Sequence, residues 1–268
     1  MIDLITVVFR DELPILQKQA KSIELFCQDM DLEKIYVVVN DDRVDLSEIE
    51  LSWWGSLKDR VVLVHRSAWR LDYANNGWLT QQLLKLLATD LSTSEWCMVL
   101  DAKTIFVNPM LKIDGRPHVG QLNIYPVFEK SCQIVNQLFN IELTQQLGPG
   151  GVPFILNTEL AQEMMADIAQ LTGQSFPNWF QSQGMVTEFI LYSGYVVHRL
   201  GSFAPMYNVN LSTLRPCNLC HSEVASFDRK FNEMQSANTV SIHRNAWTQL
   251  SANQQTQYYD FMASKGIR

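Results

Sequence analysis

Residues 77–109 read GWLTQQLLKLLATDLSTSEWCMVLDAKTIFVNP, and the change of period inside this stretch decides the fold class. Leu79, Leu83 and Leu86 fall at i, i+4 and i+7, the apolar stripe of a helix over Gly77–Ala88. Trp78, Gln82 and Lys85 repeat that spacing one step round, so they share a second face. Trp96–Leu100 is then an unbroken apolar run of strand length, followed at once by Asp101, Ala102 and Lys103. A helix leading into a strand that is apolar on both faces is the building unit of a parallel sheet.

The same alternation extends toward the N-terminus. Ile2–Phe9 is an apolar run of strand length. Asp11 reads as the cap of a helix running to about Gln28, with Pro14 tolerated in its first turn. Ile35–Val39 and Val61–Val64 are two further β-branched runs. This β-α-β-β-α-β order predicts an α/β fold with a mainly parallel sheet and helices on both faces. No Gly/Ser linker, repeat or low-complexity tract divides the chain, so a single domain is expected. Toward the C-terminus the pattern is less regular. Gly148-Pro-Gly-Gly151 predicts a turn before a strand at Val152–Leu156, and helical spacing covers Thr158–Leu171 and Pro177–Tyr192. Val196–Leu200 and Val240–Ile242 read as late strands, and Ser251 with Gln254 fits a capping box opening a last helix.

Composition narrows the function. With 268 residues, 47% hydrophobic and 18% charged, the chain can bury a sizeable core. A net charge of −7 and the lack of any Lys/Arg run argue against nucleic acid as a partner. A few local cations can still hold a small anion such as a diphosphate. No segment reaches the roughly 20 apolar residues of a membrane span, and MIDLITVVFR lacks the basic and small-residue signals of a leader, so a cytoplasmic protein is expected. Cys217-Asn-Leu-Cys220-His221 matches a haem-attachment motif. That chemistry goes with export, and no second Cys pair completes a zinc site, so the match reads as the coincidence of a loop following Pro216, while Cys27, Cys97 and Cys132 read as small buried residues.

Ligands of an open parallel sheet bind beyond the carboxyl ends of its strands. Three polar clusters sit there: Phe9, Arg10 and Asp11; Asn40, Asp41 and Asp42; and Asp101, Ala102 and Lys103. Singly each is an ordinary turn or cap, but three on one edge describe a site. Lys85, aligned with Gln82 and Trp78 just before the Asp101 strand, is expected to face a ligand.

The motifs Gly77-x-x-x-Gln81-Gln82-x-x-Lys85 and Leu100-Asp101-Ala102-Lys103-Thr104 resemble those of a bacterial GT-A-like glycosyltransferase family known by its uncharacterised domain. Thr187-Glu-Phe-Ile-Leu-Tyr-Ser-Gly-Tyr195 and Ser241-Ile-His-Arg244 are similar to later segments of that family. The likeness spans most of residues 1–245. It implies a GT-A (Rossmann-like) fold that moves a sugar from a nucleotide-sugar donor to a glycan or lipid-linked acceptor. Residues 1–110 would form the nucleotide-binding half, 111–245 the acceptor side and 246–268 a C-terminal helix.

By the same resemblance, Phe9 to Asp11, Asn40 to Asp42, Gln82, Lys85, Ala102, His243 and Arg244 would bind the donor. Asp101 would open the Asp-x-Asp motif that holds a divalent cation in most GT-A enzymes, and Glu188 would be the general base of an inverting transfer. Pro153, Phe154 and Tyr192 would shape the acceptor pocket beside the Gly148–Gly151 turn. The sequence departs from the pattern at Lys103, where the second carboxylate should be. An ammonium there repels Mg²⁺ or Mn²⁺ and can itself neutralise a departing phosphate, so metal-independent catalysis with Lys103 is expected. The alternatives are a cation held by Asp101 and His243, an inactive relative that binds nucleotide sugar or glycan, and a nucleotidyltransferase. The last normally carries a Gly-rich N-terminal loop that residues 6–13 lack.

Overall fold

The computed structural model describes residues 1–72, 76–209 and 212–268. Its centre is a sheet of β1 (Ile2–Val8), β2 (Leu32–Val39), β3 (Val61–His65), β4 (Trp96–Asp101) and a later strand, Phe154–Asn157. The order is β3-β2-β1-β4 and then the Phe154 strand, with every pair parallel except the last, which runs antiparallel to β4. Every residue of β1 is buried, so both faces of the sheet are covered, as the unbroken apolar run requires. One cover is α1 (Leu13–Phe26), and α2 (Gly77–Leu87) packs against β1 as well as against helices later in the chain.

The alternating half matches the sequence reading closely. Asp11 is not the helix cap, however: it lies in a short turn over Arg10–Glu12, and Glu12 precedes the first residue of α1. The remaining elements complete the domain. A two-residue β5 (Ile105–Phe106) follows β4, and β6 (Gln121–Asn123) pairs with β7 (Gln145–Leu147) around α3 (Glu129–Phe139). The Phe154–Asn157 strand is β8, and α4 (Thr158–Thr172) follows it directly.

The helical spacing of Pro177–Tyr192 is two helices rather than one. α5 (Phe176–Gln183) stops at Gly184, whose φ of 71° is left-handed, and α6 (Glu188–Leu200) restarts under the Thr187 hydroxyl cap. Val196–Leu200 is therefore the second half of α6, not a strand. Its β-branched run is overruled by a helix already capped and packed against α3 and α4. Gly194 in α6 touches Val135 of α3 so closely that an added Cβ would lie 2.1 Å from Val135 Cγ1. Gly194→Ala should thus cost about 1–3 kcal/mol through overpacking, read as a lower midpoint in urea unfolding.

A second, smaller core gathers Ile105 and Val107 with residues 217–267. It is built on β9 (Pro216–Leu219) and β10 (Thr239–Ile242), with α7 (Phe227–Ser236), α8 (Arg244–Trp247) and α9 (Ala252–Ser264) around them. Cys217 is buried in this core within β9. The Ser251–Gln254 capping box opens α9 as the sequence predicts. The C-terminal helix α9 packs in this core with residues 216–250 and β5.

Candidate functional site

The carboxyl ends of β1, β2 and β4 open into a cleft of about 760 Å³. Phe9, Asp11, Asp41 and Lys103, one or more from each polar cluster, line it together with Arg244. Asp41 and Asp101 therefore lie on the same edge of the sheet. One buried glutamine fixes that edge. Gln19 of α1 accepts from the Thr6 hydroxyl of β1 (2.9 Å) and donates to the carbonyls of Asp101 (2.7 Å) and Thr104 (3.0 Å). The turn after β4 is thus held to β1 and α1 through its backbone.

Lys103, which lines the cleft, is one end of a chain of alternating charge. Lys85 Nζ lies 2.7 Å from Asp101 Oδ1 and 3.0 Å from Glu188 Oε1, while Lys103 Nζ lies 2.9 Å from Asp101 Oδ2. Gln82, one turn before Lys85, sets its side-chain amide against both Glu188 oxygens, to which it donates once its nitrogen is turned toward the carboxylate. The Phe189 ring lies beneath Lys85, its centroid 5.4 Å from Nζ. Burial opposes charge on Asp101, but the two ammonium groups outweigh it and hold the carboxyl well below its ordinary range. Burial likewise opposes charge on Lys85, and the two carboxylates reverse that too, so it stays protonated. For Glu188 burial wins and its carboxyl is pushed up.

Two expectations change here. Glu188 is fully buried against Lys85 and Gln82, and none of these three, the last two expected to face the donor, lines the cleft. Phe154 and Tyr192 are also fully enclosed. Phe154 stacks on Phe189 at 4.3 Å, and the Tyr192 hydroxyl meets Tyr207 Oη at 2.6 Å. Both belong to the core under β8 rather than to a ligand wall, and Pro153 is buried with them.

The β2 end divides in the same way. Asp41 reaches the cleft, gripped by Arg43 in a two-pronged pair at 2.9 and 2.7 Å. That pair, above all, keeps its carboxyl far below the usual range. Asn40 is buried, its carbonyl oxygen accepting from Arg66, and Asp42 turns to Arg66 and His65. Arg10 sends its guanidinium to Glu48 and the Arg43 carbonyl, leaving its backbone N–H on Asp41. Ala102 is fully buried. His243 starts α8 beside the cleft, and its imidazole is pushed down by partial burial and then by the Lys103 ammonium. Arg244 spans the cleft mouth to Asp11, at 3.5 Å.

A family model describing a family of unknown function matches residues 9–250. This chain belongs to that family, DUF6492. No curated protein matches the sequence significantly. Among solved structures, the galactosyltransferase LgtC in complex with donor and acceptor sugar analogues is similar. It has a TM-score of 0.54 at 9% identity, over 98% of this chain and 95% of that one. An active-site mutant of LgtC gives 0.55 with the same identity and coverage. The fold of this DUF6492 chain is therefore GT-A, a mixed α/β domain around a mostly parallel sheet.

The structure adds residues to the DUF6492 site that the sequence reading missed. Glu12, Lys18, Arg43, Gln81, Trp247, Tyr258 and Tyr259 all line the cleft. Glu12 is notable chemically. Partial burial pushes its carboxyl up, a shift that its hydrogen bond from the Phe9 N–H only partly offsets, and the Lys103 and Asp101 charges are near enough to act on it. Arg43 had a visible signal, since an arginine two residues after Asp41 can fold back on it. Among the described residues no helix is long and apolar enough to cross a membrane.

Proposed function

We propose that this protein is a glycosyltransferase that moves a sugar from a nucleotide-sugar donor to a glycan or lipid-linked acceptor, using lysine rather than a metal ion at the diphosphate. The observation that carries this reading is the pairing of both Asp101 oxygens with ammonium groups, one of which, Lys103, lines a nucleotide-sized cleft. The GT-A fold supplies the class. A divalent cation does not fit these residues. A hard cation needs carboxylate oxygens turned toward it, whereas those of Asp101 face Lys85 and Lys103, and among the described residues no three His, Cys, Asp or Glu side chains converge.

In the proposed reaction the acceptor hydroxyl oxygen attacks the anomeric carbon and the bond to the diphosphate breaks on the opposite face. Lys103, partly exposed to the cleft, meets the negative charge that develops on the leaving diphosphate. Asp101 holds both lysines in place and stays ionised, which makes it a poor base. The acceptor proton passes to Glu12, a cleft-lining carboxylate whose raised pKa suits a general base. Glu12→Gln should lower turnover by about 10²-fold or more while leaving donor binding in place. Because the working form is the carboxylate, activity should climb with pH through a limb displaced above that of an ordinary glutamate.

A second reading rests on the sealing of Glu188: a relative that binds nucleotide sugar without turning it over. One experiment separates the two. A nucleotide-sugar panel is screened by thermal shift, since a bound ligand raises the melting temperature, and the hits are assayed for transfer with and without EDTA. Transfer unaffected by EDTA supports the proposal. Binding without turnover supports the second reading. Transfer lost in EDTA and restored by Mn²⁺ overturns the metal-free mechanism.

A further inference from the structure

The cleft does not end at the strand edge. Ile15 and Lys18 of α1 line it, with Trp247, Tyr258 and Tyr259 of the second core and Trp78 of α2. Lys18 lies five residues into α1, about 8 Å down its axis from the first helical residue at 1.5 Å per residue. This end of the cleft therefore runs down the flank of α1, away from the diphosphate position at Lys103. Its three C-terminal rings pack edge to face, Trp247 at 5.5 Å from Tyr258 and 5.3 Å from Tyr259. Tyr259 is 48% exposed and Trp78 44%, so a large part of each ring is open to a ligand.

The charges distinguish the two ends. Arg43 is matched by Asp41, Lys103 by Asp101, and Arg244 approaches Asp11. Lys18 has no carboxylate partner among the described residues; its ammonium sits 4.7 Å from the centroid of the Tyr259 ring. An aromatic wall with a cation lying over one of its rings and no carboxylate beside it fits a ligand ring that carries its own negative charge. A nucleobase has the ring but not the charge, and the donor's phosphates are met at the strand edge. A pyranose presents an apolar C–H face to an aromatic ring, and a uronate or phosphate substituent supplies the anion.

We propose that the Lys18–Tyr259 end of the cleft is an acceptor subsite for an anionic sugar. This rests on the transferase reading above. The test is intrinsic tryptophan fluorescence titration of the full chain with four probes. They are a uronic-acid oligosaccharide, its neutral reduced counterpart, a sugar phosphate and a nucleoside diphosphate. At least one anionic sugar should bind more tightly than the neutral one, and Lys18→Ala should erase that preference with a loss of about tenfold. Tyr259→Ala should weaken both charged and neutral sugars. Neither variant should alter nucleoside diphosphate binding. If both anionic sugars fail to bind at millimolar concentration, or bind no better than the neutral one, the subsite is refuted. Equal loss of nucleotide affinity in Tyr259→Ala assigns the wall to the donor and overturns it too. Failure of the nucleoside diphosphate to bind wild type, with sugar binding intact, counts instead against the transferase reading.

Discussion

Lys103→Ala should lower the transfer rate by about 10²- to 10³-fold while changing the donor's dissociation constant far less. That is the usual scale for removing one group aimed at charge that develops in the transition state. The geometry says why this residue matters. Lys103 Nζ is 2.9 Å from Asp101 Oδ2 and lines the cleft, whereas Lys85, the other ammonium on Asp101, is nearly sealed. Lys103 is thus the cation of the pair that a diphosphate can approach. Steady-state kinetics with the best donor, together with equilibrium binding of that donor, separates the two effects. A near-silent alanine variant would reduce Lys103 to a partner of Asp101.

The largest expected effect on stability is at Lys85. Lys85→Met removes the cation that the fully buried Glu188 shares with the partly buried Asp101, and breaking a buried pair from one side costs about 3–5 kcal/mol. Chemical denaturation at neutral pH should show the loss as a lower midpoint with an unchanged slope. The pH dependence has a definite sign. In the wild type Asp101 is held below its unfolded pKa, so its contribution is present above the ordinary carboxylate range and disappears as pH falls through the folded value. In Lys85→Met Asp101 keeps Lys103, but the buried Glu188 loses its cation and favours the protonated form. Mild acid should therefore recover part of the lost stability in the variant.

The legibility of this chain followed from how many residues each feature needs. β1, β2 and β4 were readable because a strand buried on both faces writes a continuous apolar run, and the polar residues at its end then mark the ligand edge. Phe9, Asp11, Asp41 and Lys103, which line the cleft, could be placed on that edge on that basis. Glu188 could not be placed, since its role depends on Lys85, 103 residues away. A carboxylate looks the same in sequence whether it faces water or a buried ammonium. Val196–Leu200 misled because local β preference is weak against a capped, packed helix. The aromatic wall was hidden for another reason: Tyr258 and Tyr259 belong to a core remote in sequence from the strand ends. Adjacent tyrosines on a helix point about 100° apart, so one was bound to leave the core; which cavity it would enter needed the fold.

Gln19 carries an implication for how such sites diversify. It holds the turn after β4 through the carbonyls of Asp101 and Thr104 and makes no use of the side chain at 103. The backbone course there is set by α1 and β1, whichever residue occupies that position. Position 103 is in effect a socket. A carboxylate or an ammonium can stand in it without remaking the loop.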